Sequence, residues 1–180
     1  EGDPMNQGFD RFYGLNCQRQ SHNFYPTHVW SDRKKVQLDR KHYSHTLIAD
    51  ECLKFIRANK DKPFFCYVPF TIPHAAMQAP EDRVAPWRKK FPEFENVTGR
   101  YGGSVIKNPV AAFAAMMTMM DEDVGRILDL LEELEIEDDT LVIFTSDNGP
   151  HKEGGHKPDF FDSNGPLKGY KRDLYEGGIR

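Results

Sequence analysis

The chain has 180 residues, 38% hydrophobic and 29% charged, with a formal net charge of -4 at pH 7. That length supports one domain with a buried core, and thirteen Phe, seven Tyr and two Trp argue against wholesale disorder. The negative balance argues against a nucleic-acid binder, which usually shows a basic stripe, and no run approaches the roughly 20 apolar residues of a membrane-spanning helix.

Residues 1–43 are aromatic, polar and turn-rich, with no long periodic segment, and read as connecting structure wrapped around a larger core. Arg33-Lys34-Lys35 here, and Arg88-Lys89-Lys90 later, read as solvated faces. Residues 44–60 carry Leu47, Ile48, Cys52, Phe55 and Ile56 at helical spacing. Ser44 or Thr46 is expected to cap this helix, and Asp61-Lys62-Pro63 to stop it. The run FFCYVPF at 64–70 predicts a short buried strand, followed by a loop that delivers His74. Residues 79–108, with Pro80, Pro86 and Pro92, read as a long irregular stretch.

Asn108-Pro109 is a helix start, with Asn as cap and Pro at the first helical position. Val110, Phe113, Ala114, Met117, Val124, Ile127, Leu128, Leu131 and Leu134 predict one apolar helical face beyond it, with the Met cluster as core filling. TLVIFTS at 140–146 predicts a second buried strand. The strand–helix–strand order argues for a parallel pair in an α/β sheet, whose site gathers at the strand C-terminal ends. His74 follows the first run and Asp147-Asn148-Gly149 the second, so the two are expected on one edge. Cys17, Cys52 and Cys66 make neither a disulfide framework nor a zinc spacing, and Cys52 and Cys66 read as small buried hydrophobes.

Asp147 beside Asn148 offers two hard oxygens of the kind calcium prefers, although Asp-Asn-Gly after a strand is also a common tight turn. The context decides between them. LVIFTSDNGP at 141–150 and GPLKGYKRDLYEGGIR at 165–180 strongly resemble the sulfatase family of the alkaline phosphatase superfamily. PFFCYVPFTIPHAAMQAP at 63–80 resembles the family segment that carries a substrate-contacting His. QGFDRFYGLNCQRQSHNFYPTHVW is similar to the arylsulfatase A-like branch, so the resemblance covers nearly the whole chain in order.

The resemblance implies an α/β, alkaline-phosphatase-like sandwich with a central, largely parallel sheet flanked by helices. It implies hydrolysis of sulfate esters, with sulfated carbohydrates among the candidate substrates. Asp147 and Asn148 match the later two of four calcium ligands, and His74 matches the His that protonates the leaving oxygen. Lys171 matches the sulfate-binding Lys, five residues before Glu176 in Lys-x-x-x-x-Glu-Gly-Gly; Lys168 is its rival at the wrong spacing. His151, His156, Asp162 and Asn164 read equally as pocket lining or as a polar loop, His22 and His28 are weaker candidates, and His42 and His45 read as ordinary helix-start residues.

The formylglycine nucleophile comes from a Cys/Ser-x-Pro/Ala-x-Arg motif, which this sequence does not contain; the early Asp-Asp calcium pair is not here either. Residues 1–180 therefore read as the middle-to-late part of a catalytic domain, from a protein that the family places in secreted, periplasmic or lysosomal settings. The isolated chain is expected to be inactive and to bind calcium weakly. A phosphodiesterase or phosphonate hydrolase of the same superfamily, and a non-catalytic binder of sulfated glycans, are the alternatives.

Overall fold

The structure, a computed structural model, describes residues 2–179. Its two long helices follow from the two periodic segments. Helix α1 (Ser44–Asn59) buries His45, Ala49, Cys52 and Ile56 on one face. Helix α3 (Pro109–Glu133) starts on Asn108, which sits in the left-handed region at φ 46 and accepts the Ala111 N–H on its side-chain oxygen at 3.0 Å. The buried face of α3 is wider than its large residues suggest. Ala111, Ala112, Ala114 and Ala115 lie in the core with Met116 and Met119, whereas Met117 and Leu128 face outward. Small Ala side chains let neighbouring elements approach closely, so the face is set by packing and not by residue size alone.

The two helices meet through Cys52, Ile56, Leu130 and Leu131. A polar clamp lies beside this contact: Arg126 bonds Asp50 and Asp123 at 2.7 Å each. His45 Nε2 lies 2.8 Å from Asp123 Oδ2, off the line of a good hydrogen bond. His45 is therefore a buried interhelix residue and not an ordinary helix-start side chain. The start of α1 also departs from expectation. Tyr43 occupies the cap position, no side chain caps the helix, and Ser44 Oγ is buried without a partner. Backbone takes over part of that work, since Ser44 N–H donates to the Phe24 carbonyl at 2.8 Å.

Two segments read as irregular contain regular structure. Residues 1–43 hold an antiparallel sheet of β1 (Tyr13–Gly14), β2 (His28–Ser31) and β3 (Lys34–Gln37). Residues 79–108 hold helix α2 (Glu81–Lys90) and the antiparallel hairpin of β4 (Thr98–Tyr101) and β5 (Ser104–Lys107). Helix α2 opens on Glu81 and Asp82 and closes on Arg88-Lys89-Lys90, which suits the helix dipole.

The runs at 64–70 and 140–146 form no helix and, among the described residues, neither pairs into a sheet, so the parallel pair expected from them does not form here. In the first, Phe64, Cys66 and Val68 pack on the α1–α3 contact while Phe65 and Tyr67 point outward, which is the two-residue period of a strand. Every residue from 141 to 147 is exposed. The remaining pieces are the short helices α4 (Pro158–Phe161) and α5 (Glu176–Ile179).

Candidate functional site

Three loops converge on one edge of the molecule. The first leaves the 64–70 run through a turn in which His74 N–H donates to Thr71 O at 3.1 Å. The second follows the 141–146 run and contains Asp147 through His151. The third contains Tyr170 through Asp173. Backbone bonds tie the last two: Lys171 N–H donates to Pro150 O at 2.9 Å, and Gly149 N–H donates to Gly178 O at 3.1 Å. A Cβ on Gly149 would stand 1.8 Å from the Gly177 carbonyl, so only glycine lets the Asp-Asn-Gly turn lie against the Glu-Gly-Gly segment.

His74 sits among aromatic rings. His22 lies 4.7 Å away between ring centroids, Tyr101 at the end of β4 lies 5.5 Å away, and His151 lies 6.0 Å away. Its Nδ1 is buried without a partner, which leaves Nε2 as the nitrogen able to address a ligand. Burial, then the positive charge of Lys171, then His22 and His151, push the His74 pKa down to about 4. Lys171 is thus within electrostatic reach of His74, although 97 residues separate them in sequence. Lys168 turns elsewhere, with its ammonium 3.9 Å over the Tyr175 ring.

A cavity of about 350 Å³ opens beside Lys171, lined by Lys152, Glu153, Tyr170, Arg172 and Asp173 as well. Glu153 forms an ion pair with Arg172, and its carboxylate lies 3.4 Å from His151 Nδ1. Burial works to raise the Glu153 carboxyl, but Arg172 and His151 outweigh it and the net shift is downward. His151 is buried. Its Nδ1 accepts the Glu153 N–H at 3.2 Å, so its proton resides on Nε2, which lies 3.3 Å from the Pro73 carbonyl.

The loop that carries Glu153 is wedged in by glycines. Gly154 adopts φ 65, and a Cβ there would stand 2.3 Å from the Ala75 carbonyl. A Cβ on Gly99 of β4 would stand 1.8 Å from the Gly154 carbonyl. This turn is therefore clamped between the His74 loop and the β4–β5 hairpin.

The other sequence candidates divide. His156 is buried, stacked on Phe113 with centroids 3.8 Å apart, and both of its nitrogens lack partners. Burial, followed by His151, drives its pKa down to about 3. Asn164 donates to the Leu167 and Gly169 carbonyls, which shapes the loop before Lys171. Asp162 caps the end of α4 and is exposed. His28 meets Thr27 Oγ1 at 3.1 Å, and His42 meets Asp39 at 2.9 Å, both away from this edge. Sequence reasoning missed Glu153 and Tyr101 altogether; the Gly154-Gly155 pair was the one local signal of a special turn.

Asp147 is exposed, and Asn148 is half-buried with its carbonyl accepting from Ser146 Oγ at 2.7 Å. Among the described residues, no group of three or more His, Cys, Asp or Glu is placed to hold a metal ion. Two adjacent hard-oxygen side chains fit part of the six to eight oxygens calcium takes and do not complete such a shell.

The chain belongs to the Sulfatase family, whose sequence model matches residues 1–180. It is similar to the uncharacterized sulfatase YdeN of Escherichia coli (30% identical, 99% of this chain, 28% of YdeN). It is also similar to the arylsulfatase of Hemicentrotus pulcherrimus (30% identical, 98% of this chain, 30% of that protein). The crystal structure of Ps i-CgsB in complex with k-i-k-neocarrahexaose superposes with a TM-score of 0.70 at 26% identity, covering 98% of this chain and 39% of that one. The chain thus spans under a third of the length of those two relatives, and its fold is α/β of the alkaline-phosphatase-like type.

Proposed function

We propose that the full-length protein hydrolyses sulfate esters, and that residues 1–180 form the middle-to-late part of its catalytic domain. The observation that carries this reading is the match to the Sulfatase family over residues 1–180; the electrostatic reach of Lys171 to His74 and the backbone bond from Lys171 N–H to Pro150 O, two residues after Asn148, support it. The apolar run at 64–70, covered on one side, and the exposed run at 141–146 support a partial domain, because their composition suits strands covered on both faces.

Lys171 binds the anionic sulfate, holding it against His74. His74 supplies the proton to the departing alkoxide. The ring is neutral in the free chain near pH 7, and an anionic ester between it and Lys171 raises its proton affinity when it is needed. Asp147 and Asn148 would hold calcium together with ligands from elsewhere in the protein. Bound there, the cation would supply charge stabilisation to the sulfate oxygens. The nucleophile, a formylglycine by family resemblance, lies outside residues 1–180.

A sulfated glycan is the substrate class we favour, since Ps i-CgsB is seen with an oligosaccharide and the chain superposes on it along nearly its full length. By family resemblance the protein works in a secreted, periplasmic or lysosomal compartment; no described helix is long and apolar enough to cross a membrane. A matched panel of sulfate and phosphate esters presented to the full-length protein tests the reading. Sulfate release that is lost with a chelator and restored by calcium supports it. Preferential cleavage of phosphodiesters or phosphonates would install the superfamily alternative in its place, and binding of sulfated glycan without turnover would mark a non-catalytic homologue.

A further inference from the structure

Two groups that must meet the same ester, His74 and Lys171, sit on loops 97 residues apart in sequence. Among the described residues, no side-chain hydrogen bond joins His74 to Lys171, so other contacts fix the spacing of the two loops. The chain of contacts between them runs through residues 151–153. His151 Nε2 addresses the Pro73 carbonyl, one residue before His74. His151 Nδ1 accepts from the Glu153 N–H, and the Glu153 carboxylate pairs with Arg172, one residue after Lys171. Lys171 N–H closes the loop on Pro150 O, one residue before His151.

We propose that His151 and Glu153 are positioning residues that hold His74 and Lys171 at the separation one sulfate ester requires. This rests on the sulfatase reading above.

The geometry supports a strut and not mere filling. The His151 ring uses both nitrogens, Nε2 toward the Pro73 carbonyl of the His74 loop and Nδ1 toward the N–H of Glu153, whose carboxylate carries the link on to Arg172 beside Lys171. The Glu153–Gly155 turn cannot slide, because Gly154 is pressed on the Ala75 carbonyl and Gly99 on the Gly154 carbonyl. The groups that face His74 are His22, His151, Lys171 and Glu153; only Glu153 opposes the depression of its pKa. Losing the strut thus changes both where His74 stands and how readily it takes a proton.

The test uses the full-length protein and compares an alkyl (sugar) sulfate with p-nitrophenyl sulfate. The alkoxide of the first needs a proton to leave, and p-nitrophenolate does not, so the ratio of their kcat values reports how well the acid is placed. His151→Phe keeps the ring volume against His156 and Phe113 but removes both polar contacts. It should shift that ratio against the alkyl sulfate by roughly tenfold to a hundredfold, the size expected from misplacing a reacting group by about an ångström. His151→Gln, which can donate on one side and accept on the other, should recover most of the ratio. Glu153→Gln provides a second variant outside the buried ring and should raise KM for both esters through Lys171. An unchanged ratio in His151→Phe, or equal loss on both esters with no recovery in His151→Gln, overturns the inference. Absence of sulfate release by the unsubstituted protein would instead overturn the reading beneath it.

Discussion

At the scale of single residues, the site is a contest between burial and charge. His74 pays desolvation and faces Lys171, so its pKa sits near 4 and the free protein carries it neutral at pH 7. If His74 is the acid, kcat/KM for an alkyl sulfate should fall as pH rises above about 4, since that parameter reports the free enzyme. The limb should vanish in His74→Ala, which pH–rate profiles of the two proteins would show. The two lysines are separated by the same logic. Lys171→Ala should raise KM or lower kcat/KM for sulfate esters by at least about tenfold, the cost of removing a charged contact to an anion. Lys168→Ala, which loses a ring contact to Tyr175, should change it by less than about threefold. His74, Lys171, Asp147 and Asn148 could be proposed from the sequence because they stand in motifs. His151 was visible only as one polar residue among several, because its role depends on a carbonyl 78 residues earlier in the chain.

At the scale of elements, legibility followed length. The two helices α1 and α3 were readable because sixteen and twenty-five residues give several turns of periodic burial. The hairpins were not, because strands of two to four residues carry almost no alternation, and β3 is exposed along its whole length. Helix α2 was hidden by Pro86, which sits within the helix and normally breaks the pattern. The runs at 64–70 and 141–146 show composition and contact pulling apart: one is covered on a single side and the other on neither, so apolar content alone overstated their burial. Two substitutions test the element account by chemical denaturation. Asn108→Ala should cost about 1–2 kcal/mol through the lost cap and the lost bond to the Phe91 carbonyl. Gly154→Ala should cost about 1–3 kcal/mol or more, from a Cβ forced onto the Ala75 carbonyl at positive φ.

At the scale of the whole molecule, the buried histidines set its response to acid. His156 is held near pKa 3, His74 near 4, and His151 is also lowered, all chiefly by burial. Each binds its proton more weakly folded than unfolded, where the ordinary value is 6.5. Between about pH 3 and 6.5 the unfolded chain therefore holds more protons, and stability rises with pH across that window. Thermal melts should show Tm falling as pH drops below about 6.5, and His156→Phe should flatten part of that slope. The proposed function makes the edge that carries His74 and Lys171 the acid and sulfate-binding side of a sulfatase site. The most direct test is sulfate release by the full-length protein and its His74→Ala variant, on an alkyl sulfate and on p-nitrophenyl sulfate. The unsubstituted protein should turn over both esters, and the variant should show a loss at least about tenfold larger for the alkyl sulfate. Equal activity of the two proteins on the alkyl sulfate would contradict it.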